Sequence, residues 1–263
     1  MESREVEFEN SRGMRLVGTV THPEGVEHDS PADSVPGVIL AHSFTGHRNV
    51  PHLKHLGREL AGRGLVSFRF DFTDCIGESE GSCMDMKVTN QIRDLKDALS
   101  YLEAMGEVDE DRIGLAGHSL GGMTSVLVAS EDERVEALVP ISAPTNSEGE
   151  RLFEGKEIDR WREMGHTHFP SARRGEVKIG WGFYEDLQQY DAMDAIGENN
   201  APVRFVHGSE DEIVPVEESR RMYEEAGEPK DLEIVEGADH LFKRGEHEEA
   251  MVDAVSGWME KHL

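Results

Sequence analysis

Val6 and Phe8 alternate with glutamates, Asn10-Ser11-Arg12-Gly13 interrupts, and Leu16, Gly18 and Val20 restore the period of two. That alternation predicts two half-buried strands joined as a β-hairpin. Residues 22–36 hold three prolines and no periodicity, so they are expected to form a loop. From Gly37 to His42 the chain is almost wholly apolar, as in a strand buried on both faces. Helical spacing follows in Leu53, Leu56, Leu60 and Ala61, opened by Pro51 and closed by Gly62-Arg63-Gly64. A strand is predicted over Leu65 to Phe70. In the glycine-bearing loop 71–81, Asp71 and Ser79 are expected to fix the loop rather than react. Val88, Ile92, Leu95, Leu99 and Leu102 then mark an amphipathic helix.

A short buried strand near Arg112 to Ala116 leads into a helix carrying Met123, Val126, Leu127 and Ala129, and Val135 to Ile141 is another strand. From Thr145 to Gly197 the regular alternation lapses, and charges gather around Phe153, Trp161, Phe169, Trp181, Phe183 and Tyr184. An insertion of this length between core strands predicts a lid over residues 145–197, with a core formed by 1–144 and 198–263. Its aromatics are as suited to holding the lid together as to touching a substrate. The core resumes with a strand over Ala201 to Gly208, a helix from Val216 to Ala226, a strand from Leu232 to Val235, and a last helix carrying Met251, Val255, Trp258 and Met259. Such alternation argues for one α/β domain, its mostly parallel sheet covered by helices on both faces, with the antiparallel hairpin at one edge.

Charge alters the picture more than composition does. The 54 acidic and 27 basic residues give a formal −27, and only eight of the basic residues are lysine. Nucleic acid is excluded as a natural partner. Because the carboxylates are interspersed among periodic apolar positions, they predict an acidic surface on a folded domain rather than disorder. The composition resembles that of proteins from salt-accumulating halophiles, so folding and activity are expected to rise with salt. No stretch approaches the roughly 18 consecutive apolar residues of a membrane span. Met1 to Phe8 lacks an apolar signal core, from which a cytoplasmic location is expected. Cys75 and Cys83 are expected to be free thiols. Oligomeric state leaves no trace in the pattern.

The candidate chemistry centres on Arg112-Ile113-Gly114-Leu115-Ala116-Gly117-His118-Ser119-Leu120-Gly121-Gly122. A serine hydroxyl needs a base beside it and amide donors facing the developing oxyanion. Gly117 and Gly121 permit a sharp strand-to-helix corner at Ser119, where the Leu120 N–H can serve the anion. A second amide is expected from the loop Ser43-Phe44-Thr45-Gly46-His47, most naturally that of Phe44. His42, His47, His52 and His55 lack the i, i+4 pairing with a carboxylate that a zinc helix uses, so no metal is expected. Downstream, Glu210, Asp211 and Glu212 follow one strand and His240 follows the next. His247 competes with His240 but reads as a surface residue at a helix start, so His240 is the expected base.

Gly-His-Ser-Leu-Gly-Gly, His-Gly-Ser-Glu-Asp-Glu-Ile-Val-Pro and Gly-Ala-Asp-His-Leu-Phe, in that order, resemble the α/β-hydrolase superfamily of serine hydrolases over nearly the whole chain. His-Ser-Phe-Thr-Gly-His, Arg-Phe-Asp-Phe-Thr and the insertion are similar to small carboxylesterases of the feruloyl or cinnamoyl type. Ser43 stands where those proteins usually have glycine. The resemblance implies an α/β-hydrolase fold with an eight-stranded sheet, and a triad of Ser119, Asp211 and His240. It also implies ester hydrolysis of a small molecule through an acyl-enzyme, with no cofactor. A peptidase or amidase of the same fold, an acyltransferase and a non-catalytic binding module are the alternatives.

Overall fold

The computed structural model describes residues 1–26, 30, 34–146, 153, 156–171 and 173–263. Its hairpin pairs β1 (Glu2–Glu9) with β2 (Arg15–His22) antiparallel. The turn is held by Asn10, whose Oδ1 accepts the N–H groups of Arg12 and Met14, each at 3.0 Å. The polar stretch between the two alternating runs thus supplies its own turn chemistry.

The remaining sheet strands are β3 (Val35–Ala41), β4 (Val66–Asp71), β5 (Val108–His118), β6 (Val135–Ile141), β9 (Val203–Gly208) and β10 (Lys230–Val235). The eight-stranded order is β1-β2-β4-β3-β5-β6-β9-β10, with every pairing from β4 to β10 parallel. This is the mostly parallel sheet with an antiparallel edge that the sequence predicts. β3 starts two residues before the predicted Gly37, and β5 reaches back to Val108 through Asp109, Glu110 and Asp111, which carry no apolar signature. β10 likewise begins at Lys230, ahead of the predicted Leu232.

Helices α1 (Pro51–Gly62) and α8 (Gly245–His262) pack together on one face, where Leu53, Leu56, Leu60, Met251 and Val255 meet Val38 and Leu40 of β3. The other face carries α2 (Val88–Glu103), α3 (Leu120–Ala129), α6 (Ala192–Glu198) and α7 (Val216–Glu225), which bury Leu95, Leu99, Met123, Val126 and Ile196 together with Ile39. Adjacent residues of β3 therefore feed opposite cores, which is why its sequence is apolar without alternation. Helix α3 is buried all round, and its sequence correspondingly has almost no polar face.

The excursion between β6 and β9 contains α4 (Ile158–Met164), a separate antiparallel pair of β7 (His166–Ser171) and β8 (Gly175–Gly180), α5 (Trp181–Leu187) and α6. Its last helix, α6, packs on α3 and α7. The aromatic residues form a cluster: Trp161 lies against Phe153, Phe169, Trp181 and Tyr184 and donates from Nε1 to Ile179 O at 3.1 Å.

The topology also fixes where a site can form. The chain leaves β3 through α1 to β4 on one side, and returns through α2 to β5 on β3's other side. The loops after β3 and β5 therefore diverge at a strand-order reversal, where parallel sheets open a crevice at their carboxyl ends.

Candidate active site

Ser119 sits at the end of β5 with φ 56° and ψ −121°, a conformation that L residues adopt only under constraint. The constraint is backbone packing. The Ser119 N–H donates to Ile141 O at 2.8 Å, and Ser119 O accepts Met123 N–H at 3.0 Å. A Cβ at Gly117 would overlap the carbonyl of Gly121, and one at Gly121 would lie 2.5 Å from His42 O and 2.6 Å from Ala41 O. The two glycines flanking Ser119 thus let α3 start against both its own strand and the loop after β3.

That loop is anchored from several sides. His42 is buried, and its Nε2 accepts the N–H of Phe72 at 3.2 Å, so Nδ1 carries the proton and donates to Ser43 O at 2.9 Å. Burial lowers its pKa, consistent with a neutral ring. Asp71 Oδ1 accepts the backbone N–H of Arg48 at 2.6 Å, while the fully buried Arg48 guanidinium reaches Asp71, Glu5 and Glu78. Ser79 donates to Asp71 O at 2.5 Å. With Asp71 Oδ2 also accepting the Glu78 N–H at 2.9 Å, Asp71 and Ser79 fix loop 71–81, as the sequence predicts, and Asp71 ties it to the loop after β3. Among the described residues, neither the N–H of Phe44 nor that of Leu120 has a hydrogen-bond partner. The Leu120 amide directly follows the strained serine, and that of Phe44 lies two residues beyond His42, whose carbonyl faces Gly121.

Asp211 and His240 leave the ends of β9 and β10. A Cβ at Gly208 would overlap Ala238 O, so a glycine is needed where the two loops close on each other. Asp211 Oδ2 accepts Nδ1–H of His240 at 2.7 Å, and Oδ1 accepts the N–H groups of Ile213 and Val214, each at 2.8 Å. Burial alone would raise the Asp211 pKa, but hydrogen bonds from His207 and His240, the charge on His240 and the Val214 amide outweigh it. They hold this carboxyl well below the usual carboxylate range. Of the three candidate acids, Asp211 is the one bonded to an imidazole. Glu212 instead accepts the His240 backbone N–H at 3.4 Å, and Glu210 is exposed.

Ser119 follows His118, whose ring centroid lies 4.9 Å from that of His240 and whose Nε2 donates to His240 O at 2.8 Å. Among the described residues Ser119 Oγ makes no hydrogen bond, so the structure joins His240 to Asp211 but not to Ser119. His247 lies within α8 and is buried rather than at the surface, because the loop turn at Gly237 packs on its ring. The matching family model, described as the prolyl oligopeptidase family, covers residues 80–263. The chain belongs to that family.

Three similar proteins span nearly the same length. A polyketide transferase, af380, of Aspergillus fumigatus is 24% identical over 306 residues, covering 100% of this chain and 99% of its own. The esterase domain of a Rhodothermus marinus protein superposes with a TM-score of 0.74 at 25% identity, over 100% and 99% of the two chains. Est1E of Butyrivibrio proteoclasticus, solved with ferulic acid bound, gives 0.79 at 22% identity over 98% of each. Family and fold together make this chain an α/β-hydrolase.

Beside Phe44 this hydrolase has a cavity of about 660 Å³, walled by Phe44, Val50, Pro51, Pro170, Leu241 and Phe242 among others. Its lining thus joins the loop after β3, the β7–β8 turn and the residues just beyond His240. None of the six insertion aromatics noted in the sequence lines it. Instead Phe169 and Phe183 grip Phe44, with ring centroids 5.0 Å away in each case. Phe44 was singled out in the sequence for its amide alone, and this packing role had no local signal.

Among the described residues no group of three or more His, Cys, Asp or Glu side chains is placed to hold a metal, and no helix is long and apolar enough to cross a membrane. Cys75 and Cys83 are free and buried. Two further histidines lie near His118 and Asp211, in contacts the sequence does not reveal. His52 packs edge-on against His118 at 4.8 Å, and burial lowers its pKa to about 4. His207 lies 3.3 Å from Asp211 Oδ2.

Proposed function

We propose that this protein hydrolyses carboxylic esters through an acyl-enzyme on Ser119. The observation that carries the reading is the 2.7 Å bond from His240 Nδ1 to Asp211, on loops that open beside a strained serine and two unpaired amides. His240 takes the Ser119 proton as Oγ attacks the ester carbonyl, and the amides of Phe44 and Leu120 receive the oxyanion. Asp211 holds the imidazole with Nδ1 protonated, leaving Nε2 to accept, and offsets the positive charge that develops. His240 then protonates the departing alcohol. Water, activated by the same imidazole, cleaves the acyl-enzyme and regenerates Ser119. This chemistry needs no cofactor. Residues 145–197 act as a lid, and the mainly apolar cavity beneath the β7–β8 turn accepts the apolar part of a small-molecule ester.

The test is turnover of a panel of short-acyl, long-acyl and hydroxycinnamoyl esters in molar potassium chloride. Serine-dependent hydrolysis that disappears in Ser119→Ala supports the reading, and near-wild-type turnover in that variant ends it. A second reading, acyl transfer to an alcohol in place of water, is favoured by the relative described as a polyketide transferase. Adding a primary alcohol and finding the transferred ester as the main product would select it. Cleavage of an aminoacyl amide in preference to every ester would select an amidase instead.

A further inference from the structure

The buried carboxylate of Asp211 serves two imidazoles. Its Oδ2 lies 2.7 Å from His240 Nδ1 and 3.3 Å from Nε2 of His207, which is fully buried four residues upstream on β9. The protonation of His207 follows from its neighbours. Nε2 lies nearer, at 3.0 Å, to the Val214 carbonyl, which can only accept, so Nε2 carries the proton and shares it between that carbonyl and, as the longer arm, Asp211 Oδ2. Nδ1 lies 2.7 Å from Ser219 Oγ, which therefore donates to it from the first turns of α7. A chain of polar contacts thus runs from Ser219 through His207 and Asp211 to His240, with no exposed member.

We propose that His207 is a positioning residue for the hydrolytic site: by sharing Oδ2 of Asp211, it sets how much carboxylate charge His240 can draw on. This rests on the triad reading above. A hydrogen bond to a carboxylate spreads its charge and weakens it as an acceptor for a second donor. With His207 in place, Asp211 stays ionised and oriented but supports the His240 imidazolium less than an undivided carboxylate would. Other groups facing His240 are His118 and His52, both kept neutral by burial, and Glu212 at its backbone N–H. Asp239 and Lys243 on its own loop pair with each other at 3.1 Å. None of these donates to Oδ2.

Two readouts test the proposal: the downfield proton resonance of His240 Nδ1–H in the substrate-free protein, and kcat/KM against pH with p-nitrophenyl acetate. In His207→Leu the resonance moves downfield. The acidic limb of the profile moves to higher pH by roughly half a unit or more, the direction expected when an imidazolium gains an undivided counter-charge. His207→Gln, whose terminal amide can donate from near the Nε2 position, restores both. Folded His207→Leu protein with neither readout changed overturns the proposal, as does equal behaviour of the Leu and Gln variants. If His207→Leu fails to fold, Ser219→Ala, which releases Nδ1, carries the test, and an unchanged resonance and profile overturn it. The resonance reports the Asp211–His240 bond whatever the reaction is, so a failed esterase reading, seen as full turnover in Ser119→Ala, remains distinguishable.

Discussion

Gly121→Ala separates the role of close backbone packing from that of the proposed triad. In a helix interior, replacing glycine by alanine ordinarily stabilises by about 1 kcal/mol. Here the new Cβ would sit 2.5 Å from His42 O and 2.6 Å from Ala41 O, backbone atoms at the end of β3 that cannot rotate aside. Bringing that contact to an ordinary 3.4 Å moves the loop or the helix by about 0.9 Å, and displacements near 1 Å can cost on the order of 10²-fold in rate. Overpacking costs roughly 1–3 kcal/mol. The net effect is therefore a loss of stability together with a kcat lowered about a hundredfold, because the amides of Phe44 and Leu120 sit on the two pieces driven apart. The assay is steady-state ester hydrolysis and thermal unfolding, both in molar potassium chloride. Gly62→Ala serves as the control, since nothing lies within 4 Å of its added Cβ. A Gly121→Ala protein as active and as stable as this control would refute the claim that the close approach sets the oxyanion geometry.

Asp211→Asn keeps the shape of the site but loses the charge opposite His240, so kcat should fall by about 10⁴ with little change in KM; a loss below tenfold in steady-state kinetics would point to a different acid. His52, with its pKa lowered to about 4 in the folded state against 6.5 as reference, makes the unfolded chain the better proton binder between those values. Stability should accordingly fall as pH drops from 6.5 toward 4, by about 3 kcal/mol from this group, and urea unfolding of His52→Phe should show a shallower decline. Raising potassium chloride from 0.1 M to 2 M should raise the unfolding midpoint of this −27 chain by screening its surface, and a midpoint independent of salt would remove the halophilic expectation.

What the sequence disclosed, and what it hid, divides by range of interaction. Periodicity exposed the hairpin, the doubly buried β3, the mostly apolar α3 and the amphipathic α2, because each pattern records the local surroundings of its own residues. The sharp turn at Ser119 was visible because the glycines it needs lie two residues away on either side. The first half of β5 was missed because Asp109 to Asp111 extend beyond the part of the sheet that needs an apolar signature. His247 was misjudged as a surface residue because the Gly237 loop that covers it lies ten residues earlier. Among three neighbouring acids, the family pattern alone pointed to Asp211; nothing in the local sequence did. All three occupy the same loop, and only the backbone geometry decides which carboxylate meets His240.

The packing around Phe44 bears on how specificity and rate are connected. Its amide is one of the two unpaired donors, while its ring is held between Phe169 and Phe183 of the insertion and lines the cavity. Thr45, next along the loop with φ 50°, donates to Pro170 O at 3.3 Å and adds a second tie to β7. A substrate group that displaces the β7–β8 turn therefore pulls on the same residue whose N–H would stabilise the oxyanion. In such an arrangement a poorly fitting acyl or alcohol group should lower kcat as well as raise KM, because the insertion's contacts and the transition-state contacts share a backbone. Substitutions at Phe169 or Phe183, remote from the reacting carbonyl, should for the same reason appear in kcat.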